Sequence, residues 1–504
     1  MKNIFCVIKF AFACIIFLHA QEGIDINILS NIKNTNIKLE NTENEKYNTE
    51  STPFVANRTD TSNKEEYLAK FYAVWDISKI NNNKDSIFYV VPSLQNAITY
   101  HQELEDLRKN PPHKNIKNYA KLEREYKAKI ASLEQKIKAL LGVGENLMPN
   151  SIGEFETIIT NMNLQDFLQN PKIGIIVQAT SVRAVPTYKP RYKSKDDFPF
   201  DRWQNSFIFE GTPVMISHFS ADGRYAHIQG PFIYGWVDTR SVALVSDSMK
   251  RKILSFDSYK IPTKDFIPLT YDNQWVLDAR IGQIFPYDKR RNKLITYYKD
   301  IDNYVKIREV NFDSNLFSDF PMPFSEEKMS LLIRTMIGQK YGWGGFLGNR
   351  DCSAFTRDSF ASFGVFLPRN SAAQAQFNGQ FINLSKMKDD EKEAYIIANA
   401  RPFGSIIWLK GHIMLYVGHI KIQGIQRAIV AHSAWGVHPI INNKLENIRL
   451  GGVRVTTLHI GGAFSSNVAM KNTLLSRIEG ITNIYNTEVN PHAQALLSNL
   501  QISH

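Results

Sequence analysis

The spacing of hydrophobic and polar positions changes along the 504-residue chain, and the changes mark its parts. From 65 to 170 apolar residues recur every three or four positions, which predicts a helical N-terminal region. The clearest helix is predicted over 119–141, where Lys, Arg and Glu fill the gaps and leave one face wet. It covers only about three heptads, so we expect core packing rather than a coiled coil. Its apolar residues are Tyr119, Leu122, Tyr126, Ile130, Leu133, Ile137, Leu140 and Leu141.

From Lys172 the pattern becomes short β-type runs separated by Gly, Pro and Asp turns. Residues 172–247 hold the first block of such runs, and residues 255–315 hold a second block with the same pattern of short runs and turns. Several short strands so close together predict a small barrel in each block. The first block contains IGIIVQATSVRAVPT, TPVMISHF, YAHIQG and YGWVDTRSVALV, and the second contains FIPLTYD, WVLDARIGQIFPYD, LITYYKD and YVKIREV.

A third unit is predicted over 324–464. It begins with the helical run EEKMSLLIRTMIGQ and continues through a glycine-rich turn and a second helical run. Three strand-like runs follow, SIIWL, HIMLYVG and AIVAHSA. Helices followed by an antiparallel sheet form an α+β architecture. The predicted fold is therefore multidomain, with a helical N-terminal region, two small β-barrels and an α+β unit, and with a polar, partly helical tail over 465–504.

Residues 1–20 have the features of a secretory signal peptide, with Lys2 as the charged start and Ala20 as a small residue suited to cleavage. Residues 21–64 are rich in Asn, Thr, Glu and Lys, which predicts a flexible leader. A lipoprotein site at Cys14 is disfavoured because the apolar run continues past it. No later segment has the ~20 apolar residues of a membrane helix. We expect an exported protein, in the periplasm or at the cell wall, without an integral span once the signal is removed.

The net charge of +11 suits an acidic partner, such as nucleic acid, anionic lipid or an anionic wall polymer. The chain has no RNP-type, zinc-knuckle or helix-turn-helix signature, so we expect no nucleic-acid partner. The basic residues are scattered, and a solvated basic surface explains the charge equally well.

Cys352 is the candidate nucleophile. The other two cysteines, Cys6 and Cys14, lie in the predicted signal segment, so the mature chain would carry one thiol and no internal disulfide. Apolar spacing predicts a helix that begins at Cys352 and stops near Gly364, and the first turn of a helix favours a thiolate. The competing reading is a small buried hydrophobe. The residues that set the spacing are Cys352, Phe355, Ser359 and Phe363.

Two histidines are placed to assist the thiol. His412 starts the run HIMLYVG, and His432 follows a short connection in the next run, so both are expected on one side of neighbouring antiparallel strands. His412 would be the base that a cysteine nucleophile needs, and His432 would orient it. The alternatives are weaker, because His438 precedes a proline in a loop while His419 and His459 end their strands. A zinc site lacks the usual paired ligand spacing, so no metal and no cofactor are predicted.

These residues together resemble the NlpC/P60 cysteine peptidases. Upstream, 172–247 resembles the bacterial SH3-like domain of multidomain members, 255–315 resembles a second one more weakly, and 65–170 is placed like their helical clip. The catalytic resemblance is carried by Tyr341-Gly342-Trp343-Gly344-Gly345, Asp351-Cys352-Ser353, Leu367-Pro368-Arg369, Gly411-His412 and Ala431-His432. In the first β block it is carried by Arg183, Pro186, Thr187, 201–204, Asp222-Gly223 and Gly235-Trp236-Val237.

The resemblance implies a papain-like γ-D-glutamyl-diamino acid endopeptidase that cuts peptidoglycan stem peptides. It assigns Cys352 as nucleophile, His412 as base and acid, and His432 as orienter. The implied substrate contacts are Tyr341, Trp343, Asp351 and Ser353, with Asp351 pairing the free amine of L-alanine. Ala354 stands where many members have glycine, which would narrow the cleft slightly.

Peptidoglycan or muropeptides are the expected partners of a monomeric enzyme. Two other readings stay open at this stage. One is a non-catalytic wall-binding protein that acts through its basic β domains. The other is an amidase or acyltransferase on the same scaffold.

Overall fold

The computed structural model describes residues 63–114, 117–460, 470–485 and 502–503. The predicted signal peptide and all but the last two residues of the predicted leader lie outside this range. The chain divides into two compact units. Unit 2, Phe54–His419 with Arg427–His504, holds the elements described below apart from the tip of one hairpin. That tip, Ile420–Gln426, falls outside unit 2.

The N-terminal region is helical, as the apolar spacing predicts. The helix over Tyr119–Leu141 has the predicted bounds. It packs mainly against one other helix, Val91–Lys109, through a small cluster of Leu104, Leu133 and Ile137. The helices of this region are α1 Lys64–Tyr72, α2 Lys84–Ile87, α3 Val91–Lys109, α4 Tyr119–Leu141 and α5 Ile152–Asn161.

The first β unit is one seven-stranded sheet with the strand order β3-β2-β6-β5-β4-β1-β7. One of its faces carries an apolar core that includes Val182, Ile208 and Val237. The buried rings of Trp203 and Trp236 belong to a second cluster shared with the helical region. Its strands are β1 Lys172–Ile176, β2 Thr180–Arg183, β3 Gln204–Ile208, β4 Pro213–Phe219, β5 Tyr225–Gln229, β6 Tyr234–Asp238 and β7 Val242–Leu244.

Helix α6, Asp247–Leu254, leads to the second β unit, which is built from a hairpin (β10-β9) and a five-stranded sheet (β13-β12-β11-β8-β14). The predicted barrels need one correction. Among the described residues the end strands of each sheet do not pair with one another, so both β units are open sheets. The strands are β8 Tyr259–Pro262, β9 Ile267–Tyr271, β10 Gln274–Ala279, β11 Phe285–Asp288, β12 Lys293–Lys299, β13 Val305–Val310 and β14 Phe317–Asp319.

The third unit has the predicted α+β architecture. Its sheet has the order β15-β23-β16-β17-β18-β21-β24, and a small three-stranded sheet, β20-β19-β22, is separate from it. The helices are α7 Glu326–Met336, α8 Cys352–Ala361, α9 Ser371–Ala375 and α10 Asp389–Asn399. The strands are β15 Phe381–Asn383, β16 Ser405–Leu409, β17 His412–Ile422, β18 Ile425–Val437, β19 Ile440–Ile441, β20 Lys444–Leu445, β21 Ile448–Thr457, β22 Met470–Lys471, β23 Ile478–Asn483 and β24 Ile502–Ser503.

The main sheet extends into the segment that the sequence assigns to a C-terminal tail. Strand β23 lies within 465–504 and pairs with both β15 and β16. Its residue Ile481 is buried in the core of the third unit. This part of the predicted tail therefore belongs to the α+β unit, because an apolar strand here completes the sheet beside β16.

Candidate active site

Cys352 is the first residue of α8, as predicted, and every residue of this helix is buried. The helix starts there because Asp351 is its N-cap, and its Oδ1 accepts a hydrogen bond from the Ala354 N–H at 2.9 Å. The chain leaves the helix through Ser362, and Gly364 follows in the left-handed region with φ of 77°. A glycine tolerates that conformation without strain.

The glycine-rich turn before Cys352 lies against strand β3 of the first β unit. Gly344 and Gly345 have φ of 56° and 81°. A Cβ on Gly344 would stand 2.5 Å from the Gln204 carbonyl oxygen, and one on Gly345 would stand 2.5 Å from Phe207 Cβ. The side-chain amide of Gln204 also donates to the Gly344 carbonyl at 2.9 Å. The glycines therefore allow the turn to dock on a neighbouring unit at backbone distance.

The two candidate histidines lie on adjacent strands, as expected. His412 Nε2 is 2.8 Å from His432 Nδ1. The other ring nitrogen of His432 is 3.2 Å from Thr456 Oγ1 on strand β21. His432 is fully buried, and Thr456 is buried beside it. Sequence reasoning missed Thr456, because the run IRLGGVRVTT was not read as the next strand of the sheet.

The backbone N–H of Ile413, directly after His412, hydrogen-bonds the Cys352 sulfur, so the thiol lies at the start of β17. Burial raises the pKa of Cys352 to about 12, and the charge of Asp351 adds to the rise. Burial lowers the pKa of His412 to about 4 and that of His432 well below its usual value. Burial therefore opposes the thiolate that the helix start favours, and it also opposes protonation of the two imidazoles.

Asp351 is already fully engaged. Arg369 binds both of its oxygens, at 3.0 and 2.6 Å, and the Gly344 N–H donates to Oδ2 at 3.1 Å. Burial alone would raise the pKa of Asp351, but the charge and hydrogen bonds of Arg369 hold it below its usual value. Ser353 joins the cluster, since its hydroxyl accepts from Arg369 at 2.7 Å. The role that the resemblance implies for Asp351, pairing a substrate amine, conflicts with this saturation.

The signal for Arg369 was present in the sequence, inside Leu367-Pro368-Arg369, but pattern reasoning gave it no role. Only the folded chain shows that its guanidinium reaches back 18 residues to Asp351. A fourth hydrogen bond donated by Arg369, to the Ser206 hydroxyl at 2.8 Å, connects the cluster to the first β unit.

The two predicted aromatic residues lie on the cleft wall. Trp343 donates its indole N–H to the Asp201 carbonyl at 2.9 Å, and the Arg202 guanidinium lies 5.7 Å from its ring centroid. Burial raises the pKa of Tyr341 well above its usual value, and the neighbouring Cys352 and Asp351 add to this. Tyr341 therefore keeps its proton near neutral pH and can act as an O–H donor.

A cleft of about 830 Å³ opens beside the thiol. Three parts of the chain line it: the N-terminal region, the first β unit and the third unit. The second β unit contributes no lining residue among those the structure describes. Representative lining residues are Asn81, Tyr89, Asn205, Tyr341, Cys352 and Ser353.

Within the described parts of the chain, no cluster of three or more His, Cys, Asp or Glu side chains could hold a metal ion. His412 and His432 direct ring nitrogens at each other, which is the arrangement of a hydrogen-bonded pair. The zinc alternative therefore has no support in the geometry.

The third unit has a thiol at a helix start, and the strand whose backbone contacts this thiol begins with one member of a hydrogen-bonded histidine pair. A cysteine and a histidine are the groups that cysteine-nucleophile hydrolases use. Comparison with protein families makes this specific. Residues 338–437 match the NlpC/P60 family, and residues 186–238 match the SH3 domain of SH3b1 type. The chain carries an NlpC/P60 domain preceded by an SH3b domain.

A solved NlpC/P60 endopeptidase of Photobacterium damselae subsp. piscicida resembles the whole arrangement. It has 25% sequence identity and a TM-score of 0.66, and the match covers 83% of this chain and 91% of that one. An NlpC/P60 family protein of Bacillus cereus ATCC 10987 has 14% identity and a TM-score of 0.41, over 62% of this chain and 99% of that one. Curated proteins gave no match.

NlpC/P60 domains are typically those of cysteine peptidases acting on peptidoglycan, and their combination with SH3b domains is typical of exported proteins that act at the cell wall. Among the helices that the structure describes, none is long and apolar enough to cross a bilayer.

Proposed function

We propose that the protein is an exported cysteine endopeptidase that hydrolyses the γ-D-glutamyl–diamino acid amide bond of peptidoglycan stem peptides. The observation that carries the proposal is the position of Cys352 on the wall of a large cleft, where it accepts a hydrogen bond from the backbone next to His412, whose ring pairs with that of His432. Peptidoglycan or muropeptides are the proposed partners, and export follows from the signal-like residues 1–20.

His412 acts as the base. Its Nε2 is engaged with His432, so Nδ1 is the nitrogen that exchanges a proton with the thiol. For that, Nε2–H donates to His432 Nδ1 and His432 Nε2–H donates to the Thr456 hydroxyl, which fixes one tautomer in both rings. His432 is thus the orienter. It stabilises the ring direction of His412 without taking its proton.

The raised thiol pKa and lowered imidazole pKa make a preformed ion pair unfavourable. The sulfur therefore loses its proton to His412 as it attacks the carbonyl carbon, forming a tetrahedral adduct whose oxygen carries the negative charge. The protonated phenol of Tyr341 donates a hydrogen bond to that oxygen. The Ile413 N–H stabilises negative charge on the sulfur.

His412 then returns the proton to the leaving amine of the diamino acid, and a thioester to D-glutamate remains on Cys352. Water, deprotonated by His412, attacks the thioester and releases the γ-carboxylate and the thiol. Trp343 and Ser353 are proposed substrate contacts because both line the cleft. For Asp351 we propose a different role from the implied one: it holds the loop that carries Cys352.

The test is digestion of defined stem peptides by the full chain, read by mass spectrometry. We expect a new fragment that ends in D-glutamate, and loss of about 10²- to 10⁴-fold in rate for His412→Ala, the range for a removed general base. Cys352→Ala should abolish turnover. An unchanged product profile with Cys352→Ala would sink the proposal, and a fragment with a different new end would indicate an amidase or acyltransferase.

A further inference from the structure

We propose that the second β unit is a positioning element for the active site, and that Asp265 acts through Arg350 to fix the Cys352 loop. The expected effect on stem-peptide kinetics rests on the proposed function, whereas the expected effect on alkylation of Cys352 does not. The second β unit supplies no lining residue to the cleft in the described structure, so its influence on the reaction must pass through the protein.

Arg350 lies two residues before Cys352 and is 3% exposed. Its two terminal nitrogens bind both oxygens of Asp265, at 2.5 and 3.0 Å. The remaining donors reach the Ile281 carbonyl at 2.8 Å, Asp358 at 2.7 Å and Gln339 at 3.1 Å. All five N–H donors of the guanidinium are therefore used, and two of these partners belong to the second β unit.

Both carboxylate oxygens of Asp265 have further partners besides Arg350. Its Oδ1 accepts from the Ile281 N–H at 2.8 Å and lies 3.1 Å from Arg280 Nε. Gln339 donates to its Oδ2 at 2.8 Å. Burial would raise the pKa of Asp265, but the charge of Arg350 keeps it far below its usual value. The carboxylate is a fixed negative charge beneath the loop.

The backbone of Arg350 is hydrogen-bonded both to the glycine turn and to the strand that carries His432. Its carbonyl accepts a hydrogen bond from the hydroxyl of Ser433, next to His432, at 2.7 Å. The same carbonyl accepts from the Gly342 N–H, in the glycine turn, at 3.2 Å. Arg350 therefore connects the loop before Cys352, the glycine turn and the strand of His432 through its backbone. Its side chain is held by hydrogen bonds to the second β unit.

Backbone packing shows that this grip is close. Gly282, in the turn between β10 and β11, has φ of 95°, and a Cβ there would stand 2.8 Å from Asp358 Cβ. Asp358 lies on helix α8, six residues after Cys352. The second β unit therefore contacts the cysteine helix itself, at a site where only glycine fits.

Without the Asp265 charge, Arg350 would be left partly unpaired in the interior and the loop would lose its fixed register. A displacement of the reacting atoms by about 1 Å can cost about 10²-fold in rate. Substrate affinity should be spared, because the cleft wall is built elsewhere. The expected signature is a fall in kcat with KM unchanged.

The experiment compares Asp265→Asn with Glu326→Gln in the full chain. Glu326 is a buried carboxylate of the third unit paired with Arg401, and its bonds do not include the Cys352 loop. Each change removes one buried negative charge from an ion pair at nearly constant volume. The first readout is iodoacetamide alkylation of Cys352, followed by peptide mass mapping, and the second is stem-peptide kinetics.

We expect Asp265→Asn to slow alkylation about tenfold, to move its pH midpoint and to lower kcat about 10²-fold with KM within twofold. Glu326→Gln should leave alkylation unchanged, and Asp265→Glu should restore most of it. Equal alkylation rates in Asp265→Asn and the wild type, or equal slowing in Glu326→Gln, would overturn the proposal. If Asp265→Asn does not fold, Arg350→Lys, which keeps the charge but loses the fork to Asp265, is compared with Arg401→Lys, which loses the fork to Glu326. Slower alkylation with Arg350→Lys alone supports the proposal, and equal rates in the two variants overturn it. Alkylation does not require peptidoglycan cleavage, so failure of the proposed substrate leaves this test intact.

Discussion

The two β units look alike in sequence and meet the active site in opposite ways. The first presents strand β3 to the glycine turn and lines the cleft with side chains such as Asn205. The second stays out of the cleft and grips the Cys352 loop through the buried Asp265–Arg350 pair. A pattern of short strands in the sequence therefore does not distinguish a unit that lines the substrate cleft from one that positions the catalytic loop. The residues at each contact make the distinction. The first unit has polar side chains that face the cleft, and the second has a buried network of charged side chains.

The largest effect is expected at the charged contact. Arg350→Leu leaves Asp265 buried without its bidentate partner and removes one of the two arginines that bind the buried Asp358. Breaking a buried pair in this way costs about 3–5 kcal/mol. Urea unfolding of the full chain measures it. Arg290→Leu, on the β11–β12 turn of the second β unit, is the control and should change stability by less than about 0.5 kcal/mol. A loss of less than about 1 kcal/mol for Arg350→Leu would remove the claimed difference between the units.

Next comes the packed contact of the first unit. Gly345→Ala drives a Cβ onto Phe207 and strains a backbone with φ of 81°, so we expect a loss of about 1–3 kcal/mol and a fall in turnover of tenfold or more. Gly338→Ala is a matched control, because φ there is 85° but nothing lies within 4 Å of the added Cβ. If both variants behave alike, backbone strain explains the effect and docking on β3 does not.

Between pH 7.5 and pH 5, protonation of buried histidines should weaken the first unit and not the second. Burial lowers the pKa of His218, and lowers that of His227 well below its usual value, whereas 255–315 contains no histidine. The unfolded chain then binds more protons than the folded one below pH ~6.5, so stability is complete above that pH and falls as the pH drops toward the folded pKa. The slope is at most about 1.4 kcal/mol per pH unit for each histidine.

Urea unfolding at pH 7.5 and pH 5 checks this expectation. His227→Gln should reduce the difference in stability between the two pH values by part of its size. The remainder comes from His218, His412 and His432, whose pKa values burial also lowers. A pH difference that the variant leaves unchanged would show that His227 is not a source of the acid sensitivity.

The smallest effect is expected at the cleft rim. Tyr89 donates its hydroxyl to Asn205 Oδ1 at 2.8 Å, and Tyr287 of the second unit makes the same bond to Asn292 at 2.9 Å. Tyr89→Phe should raise KM about twofold to tenfold, the worth of one hydrogen bond, with kcat retained. Tyr287→Phe should change neither constant. A KM effect in the second unit would contradict the division of roles.

The sequence predicted what local spacing controls. Helix Tyr119–Leu141, the start of α8 at Cys352 and the adjacency of His412 and His432 all follow from periodicity and short connections. It could not predict what depends on long-range burial. The burial that raises the pKa of Cys352, the pairing of Asp351 with Arg369 and the strand β23 all depend on groups that only folding brings together. Asp265 and Arg350, likewise, are 85 residues apart in the chain.

The bond between Asp265 and Arg350 also bears on how such proteins can recombine. The family match, 338–437, begins well after Asp265, so an exchange at that boundary would separate the guanidinium from its counter-charge. A foreign catalytic domain that has an arginine at the position of Arg350 would bury it without a carboxylate partner. A domain without that arginine would leave Asp265 buried without its cation. The part of this chain that keeps the ion pair intact is therefore longer than the family match, and it includes the chain from Asp265 onward.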